Sequence, residues 1–247
     1  GDVDAVLRRV HPRRGAQMFV GVSGLLSQNE GDLSLASRRS HLLSACWEAT
    51  ASYLNVSEWW TFLWGDEQLA ALASAILPLR GVTSFGQALA LRSIWTRCYD
   101  TAKAAGVLLA QHLRRRGGGE RPITLLGISL GARVVWQCLE TLAEMRNSEG
   151  CGLIQDVLLL AAPVTLNAAR WERVRPVVAG RLINAYVPEN VQLGALYRTD
   201  HLTSKGCCGL SAVPSRAVEN YDATPHVAAD SDAYHFAVPA VLEAVGL

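Results

Sequence analysis

The sequence predicts an α/β fold in which a mainly parallel sheet carries helices on both faces. Three observations predict it. Short apolar runs of strand length alternate with longer segments whose apolar residues recur at helical spacing. Several of the short runs are apolar throughout rather than at every second residue, the pattern of strands buried on both faces. Half of the 247 residues are hydrophobic and 18% are charged, which supplies a full core and argues against intrinsic disorder. One domain spanning 1–247 is expected.

The elements follow in order. Met18 to Val22 is a buried strand closed by Ser23-Gly24. Ser34 to about Tyr53 has helical spacing in Leu35, Leu42, Leu43, Cys46 and Trp47. Trp59 to Trp64 is aromatic-rich and reads as a strand. Helices are expected from about Asp66 to Ile76 and from Phe85 to Leu113, separated by Pro78 and Gly81. Residues 65–96 form a helical, cap-like insertion in this reading. Pro122 to Leu126 is a strand and Leu130 to Met145 an amphipathic helix. Then come a strand from Leu153 to Ala161, a short helix from Leu166 to Arg175 and a strand from Arg181 to Tyr186. Phe236 to Val245 is a closing helix with Pro239 in its first turn, where proline is tolerated.

Composition narrows the partners. A formal net charge of +1 gives no electrostatic case for nucleic acid. Arg114-Arg115-Arg116 reads as a solvated helix end before three glycines. The six cysteines are irregularly spaced and complete no zinc pattern, so free thiols and a reducing compartment are expected. The opening residues do not read as a signal peptide, and the missing initiator Met suits a fragment of a longer protein. The longest apolar stretch, Leu69 to Leu79, falls short of the roughly 20 residues of a membrane span, so this chain alone is expected to be soluble. An intracellular place, cytoplasmic or peripheral to a membrane, is expected. Oligomeric state is not legible.

The chemistry gathers at Gly127-Ile128-Ser129-Leu130-Gly131. A buried strand precedes this run and an amphipathic helix follows it, the context of a GxSxG nucleophile elbow in an α/β-hydrolase sheet. There the serine hydroxyl stands above the sheet edge, and the helix N-terminus favours developing negative charge. Two backbone amides should form an oxyanion hole. One is that of Leu130. The other belongs to the loop after the first strand, Ser23-Gly24-Leu25-Leu26, with Leu25 as the donor and Gly24 and Leu26 as substrate-binding positions. His235 is the expected base and His226 the second candidate, because His11, His41 and His112 precede the serine and His201 lies in a polar loop. The acid should follow Arg181 to Tyr186, where Glu189 and Asn190 stand; Asp200, Asp222, Asp230 and Asp232 are fallbacks.

These residues resemble a known family, the α/β-hydrolase domain of the transmembrane and coiled-coil domain-containing protein 4 family, long described as a domain of unknown function. The likeness runs through Gly21-Val22-Ser23-Gly24, Gly127 to Val134, Leu158 to Val164, Gly180 to Asn184, Leu193 to Arg198 and His235. It implies a serine esterase or lipase-like enzyme with its serine at Ser129 and its histidine at His235. The family pattern has aspartate then tryptophan where this chain has Asn190 and Val191, so either Glu189 substitutes, or Asn190 takes the orienting role, or the enzyme is weak. Membrane insertion is not carried over, because Pro78, Arg80 and Arg92 interrupt residues 69–95.

The expected function is therefore carboxyl-ester hydrolysis on a small-molecule or lipid ester through an acyl-enzyme on Ser129, with no cofactor and no metal. The alternatives are a catalytically weak or inactive interaction module, or an acyltransferase. Membrane association belongs to the expectation for the full-length protein only.

Overall fold

The computed structural model describes residues 3–10, 16–24, 47–48, 50–52, 58–76, 84–116, 121–145, 152–200, 206–227 and 234–247, with the side chains of Arg116, His235 and Phe236 left out. Strands β1 (Ala5–Arg9), β2 (Met18–Val22), β3 (Glu58–Trp64), β4 (Ile123–Ile128), β5 (Ile154–Leu160), β6 (Leu182–Tyr186) and β7 (Glu219–Asp222) form one seven-stranded sheet in the order β1-β3-β2-β4-β5-β6-β7. Only β1 runs antiparallel, pairing Leu7 with Phe62; the rest are parallel, with Val20 opposite Leu125 and Leu126 opposite Leu158. The helices are α1 (Asp66–Ile76), α2 (Phe85–Ala90), α3 (Arg92–Arg116), α4 (Leu130–Glu144), α5 (Ala168–Val174), α6 (Val191–Asp200) and α7 (Tyr234–Val245). This is an α/β architecture of the α/β-hydrolase-like kind.

Burial explains the central strands. Every residue of β2 and β4 is buried, so continuous apolar runs pack against helices on both faces. Helix α4 lies on the sheet with nearly its whole length buried and packs along α3. In the same core Trp59 stacks on Phe19 and lies tilted against Trp47, with ring centroids 5.5 Å apart in both pairs.

Several expectations shift. The single helix expected from Phe85 to Leu113 is two. Ser84 and Gln87 form a capping box that starts α2. Leu91 ends it at φ −92° and ψ −1°, burying its side chain as the chain turns into α3. Helix α7 begins at Tyr234, which puts Pro239 inside it rather than in its first turn; a proline there has no amide to give the carbonyl of His235. Strands β1 and β7 and helix α6 lie outside the elements read from sequence. Both strands are edges: β1 carries Arg8 and Arg9 and β7 reads Glu-Asn-Tyr-Asp, so neither has an apolar run to announce it. Most of the expected helix from Ser34 to Tyr53 lies outside the described residues, as do Leu25, Leu26, Cys46, Cys151, His201, Asp230 and Asp232.

Candidate active site

The sheet order reverses between β2 and β4. The chain leaves β2 toward β3 on one side and leaves β4 toward β5 on the other. A crevice opens at such a switch point beyond the carboxyl ends of the strands, and ligands of open α/β sheets bind there. Ser129 follows β4 at this point and Gly24 lies just beyond β2.

Ser129 has φ 54° and ψ −126°, in the left-handed half of backbone space that a side chain occupies only under constraint. Hydrogen bonds hold it there. Its amide donates to the Leu160 carbonyl at 2.9 Å, and its carbonyl accepts from the amides of Ala132 at 2.9 Å and Arg133 at 3.3 Å. Ser129 is half-buried while Ile128 and Leu130 beside it are buried, so the turn lifts one residue out of the core. It also places the first amides of α4, which have no acceptor within the helix, at the crevice.

Glycines make this packing possible. A Cβ on Gly24 would lie 2.5 Å from the Leu130 nitrogen and 2.9 Å from those of Gly131 and the Ile128 oxygen. A Cβ on Gly131 would lie 2.1 Å from the Val22 carbonyl oxygen, and one on Gly127 2.6 Å from the Ala132 Cα. The chain just after β2 is thus pressed backbone to backbone against the turn at Ser129. Ser23 anchors that loop: its hydroxyl accepts from the Trp47 indole and its carbonyl from the Trp64 indole, both at 2.9 Å.

Asn190 is half-buried in the turn after β6. Its Oδ1 accepts from the Leu193 amide at 2.9 Å, capping α6, and its Nδ2 donates to the Tyr234 hydroxyl at 2.6 Å. The turn after β6 is thereby tied to the start of α7, where His235 follows Tyr234. Burial pushes the Tyr234 hydroxyl up to about 12, against the pull of the Asn190 bond, so it stays neutral near pH 7. Glu189 is exposed on the same turn. His226 stands in the short turn Thr224–His226 after β7, its Nε2 2.6 Å from the Tyr221 hydroxyl.

Two of the fallback acids, Asp200 and Asp222, are engaged elsewhere. Asp200 accepts from the Thr96 hydroxyl at 2.7 Å and pairs with Arg92 between α3 and α6. Asp222 accepts from the Thr224 hydroxyl and amide, which hold its carboxyl below the usual range. Cys138, Cys207 and Cys208 are buried free thiols, and Cys98 is buried with its thiol donating to the Gln68 carbonyl at 3.0 Å. No group of three or more His, Cys, Asp or Glu able to hold a metal occurs among the described residues, and no helix among them is long and apolar enough to cross a membrane.

The geometry defines an α/β-hydrolase-like protein with a serine at its switch-point crevice. The chain belongs to the family described as "Protein of unknown function (DUF726)", which matches residues 35–247. Over 151 residues it is 41% identical to the transmembrane and coiled-coil domain-containing protein STS1 of Oryza sativa, covering 61% of this chain and 22% of the relative. It is 38% identical over 187 residues to an uncharacterized membrane protein of Caenorhabditis elegans, 74% and 29% of the two chains. It is 30% identical over 257 residues to the probable lipase MIL1 of Saccharomyces cerevisiae, 97% and 23% of the two. The matches thus span under a third of the length of these relatives.

Proposed function

We propose that this domain is a serine hydrolase that cleaves carboxyl esters through an acyl-enzyme on Ser129. The observation that carries the reading is the conformation of Ser129, held at positive φ between a buried strand and the N-terminus of a buried helix, with Gly24 of the β2 loop packed against the neighbouring backbone of Ile128, Leu130 and Gly131. The name of the yeast relative, a probable lipase, agrees with it.

The steps follow. His235 takes the proton from the Ser129 hydroxyl as Oγ attacks the ester carbonyl. The carbonyl oxygen becomes an oxyanion, held by the amides of Leu130 and Leu25, with Gly24 and Leu26 beside the substrate. The oxyanion collapses, the C–O bond to the alcohol breaks and His235 returns the proton to that alcohol. Water, deprotonated by His235, then attacks the acyl-enzyme; the acid leaves and Ser129 regains its proton. Asn190 is a positioning residue, fixing the start of α7 through Tyr234, and Glu189 is the carboxylate of the same turn that stabilises the His235 imidazolium. The α1–α2 region, within residues 65–96, serves as the cap. For the whole protein, the names of the relatives support an ester substrate met at a membrane.

The test is hydrolysis of short and medium acyl esters. Ser129→Ala should abolish turnover while leaving the fold intact; equal background rates for both proteins would end this reading. Glu189→Gln should lower kcat. Replacing a triad acid by its amide costs about 10⁴ where the carboxylate is essential.

A second reading has one observation behind it. At the acid position, the Asn190 amide is committed to capping α6 and to Tyr234. A non-catalytic module that kept the fold would show this, and partner capture would then survive Ser129→Ala.

A further inference from the structure

A cavity of about 720 Å³ lies among α3, α4, α5, α6 and the segments after β5 and α6. That volume is in the range that holds a small-molecule ligand. Ser129 is not part of its lining. Arg133, one turn further along α4, is. At a rise of about 1.5 Å per residue the two stand roughly 6 Å apart along the helix axis.

Arg133 is the unusual feature. Its side chain is 4% exposed, and no hydrogen-bond acceptor meets its Nε or Nη1. Its Nη2 donates to the Gln137 Oε1 at 3.0 Å, and the Tyr99 hydroxyl also bonds the guanidinium. The guanidinium carbon stands 5.0 Å from the centre of the Tyr99 ring. Two donors of a buried guanidinium are thus left without acceptors, a desolvation that the fold does not offset with hydrogen bonds.

The nearby carboxylate does not remedy this. Glu140 Oε2 is 3.9 Å from Arg133 Nη1, beyond hydrogen-bond reach. Glu140 is already bonded by Nε and Nη2 of Arg170 and lies 3.7 Å from Arg173. Three guanidinium groups therefore share one carboxylate. The other groups at hand carry no compensating charge: burial raises the Tyr99 and Tyr197 hydroxyls and the Cys207 thiol, keeping each neutral near pH 7. Arg133 and Arg170 both line the cavity, so its cationic end is the α4–α5 side. The rest of the wall includes Trp136, Val164, Leu166, Ala168 and Pro214.

We infer that this cavity binds an anionic amphiphile, with an oxyanion head against Arg133 and an apolar body along Trp136, Val164 and Leu166. A carboxylate and a phosphate ester share the required head chemistry. The site stands apart from the Ser129 chemistry and does not rest on the hydrolase reading.

Calorimetric titration below the micelle concentration tests it, with dodecanoate, dodecyl phosphate, dodecanol and inorganic phosphate as probes. Dodecanoate or dodecyl phosphate should bind the wild type and Ser129→Ala equally, and the tighter of the two names the head group. Dodecanol and inorganic phosphate should each bind at least tenfold more weakly. Arg133→Gln should weaken the anionic probe at least tenfold and leave dodecanol unchanged, while Arg133→Lys recovers part of the loss. Ala212→Trp adds bulk to the cavity lining from an exposed position and should also weaken the anionic probe at least tenfold. Undiminished binding to Arg133→Gln would overturn the inference; if that variant does not fold, undiminished binding to Ala212→Trp would do so. Dodecanol or inorganic phosphate binding as tightly as the anionic amphiphile would overturn it as well.

Discussion

Replacing Gly24 by alanine adds a single methyl group where two backbones meet. That Cβ would stand 2.5 Å from the Leu130 nitrogen, about 0.9 Å short of the 3.4 Å at which ordinary contact begins. The Gly131 nitrogen and the Ile128 oxygen, each at 2.9 Å, close off sideways escape. All three obstacles are main-chain atoms, so no rotamer change relieves the clash, and the β2 loop must retreat from the elbow by close to an ångström. Overpacking of this kind costs about 1–3 kcal/mol. If the loop supplies an oxyanion donor, a misplacement of about 1 Å also costs roughly 10² in turnover. Gly86→Ala is the control: nothing stands within 4 Å of its Cβ, and alanine in a helix gains about 0.5–1 kcal/mol over glycine. Urea unfolding and ester hydrolysis on the three proteins give both readouts. Gly24→Ala with wild-type stability and wild-type turnover would refute the reasoning.

Further outcomes follow from the same structure. Glu58 is buried, which by itself would raise its pKa, but hydrogen bonds from Trp60 and Arg121 and the charges of Arg121 and Arg9 outweigh burial and hold it below the usual range. A lowered folded pKa means its stabilisation is complete above the unfolded value of about 4.3 and fades as pH falls through the folded value. Glu58→Gln should therefore cost about 1–3 kcal/mol at pH 7 and flatten the acid side of the stability profile measured by urea titration. Trp171 is fully buried, its ring centroid 4.3 Å from that of Trp136 and its indole donating to the Thr165 carbonyl at 2.8 Å, so Trp171→Ala should lose about 3–5 kcal/mol in the same assay. Burial raises the Cys138, Cys207 and Cys208 thiols, so at pH 8 all three should resist iodoacetamide in the native protein and react in urea, as peptide mass spectrometry would show.

The central sheet was legible because it is buried on both faces. Met18 to Val22 and Ile123 to Ile128 carry apolar residues that only such a strand can hide, and the glycines around Ser129 mark the turn where backbones touch. Edge strands carry no such signal, which is why Ala5 to Arg9 and Glu219 to Asp222 pass for loops. Helix α6 was hidden for another reason. Asn190, read as able to orient the histidine, is the cap that starts it, and a capping side chain and an orienting one are the same residue type in a sequence. Arg133 carried no signal at all: in the first turn of a helix, an arginine reads as solvated until the packing of α3 and α5 shows it enclosed.

The central claim is that Ser129 is an activated nucleophile. A fluorophosphonate probe, with the adduct mapped by peptide mass spectrometry, tests it without knowledge of the substrate. The account predicts a single adduct on Ser129 of the native protein, absent after denaturation and absent in Ser129→Ala. Native, folded protein that stays unlabelled at Ser129 would contradict it.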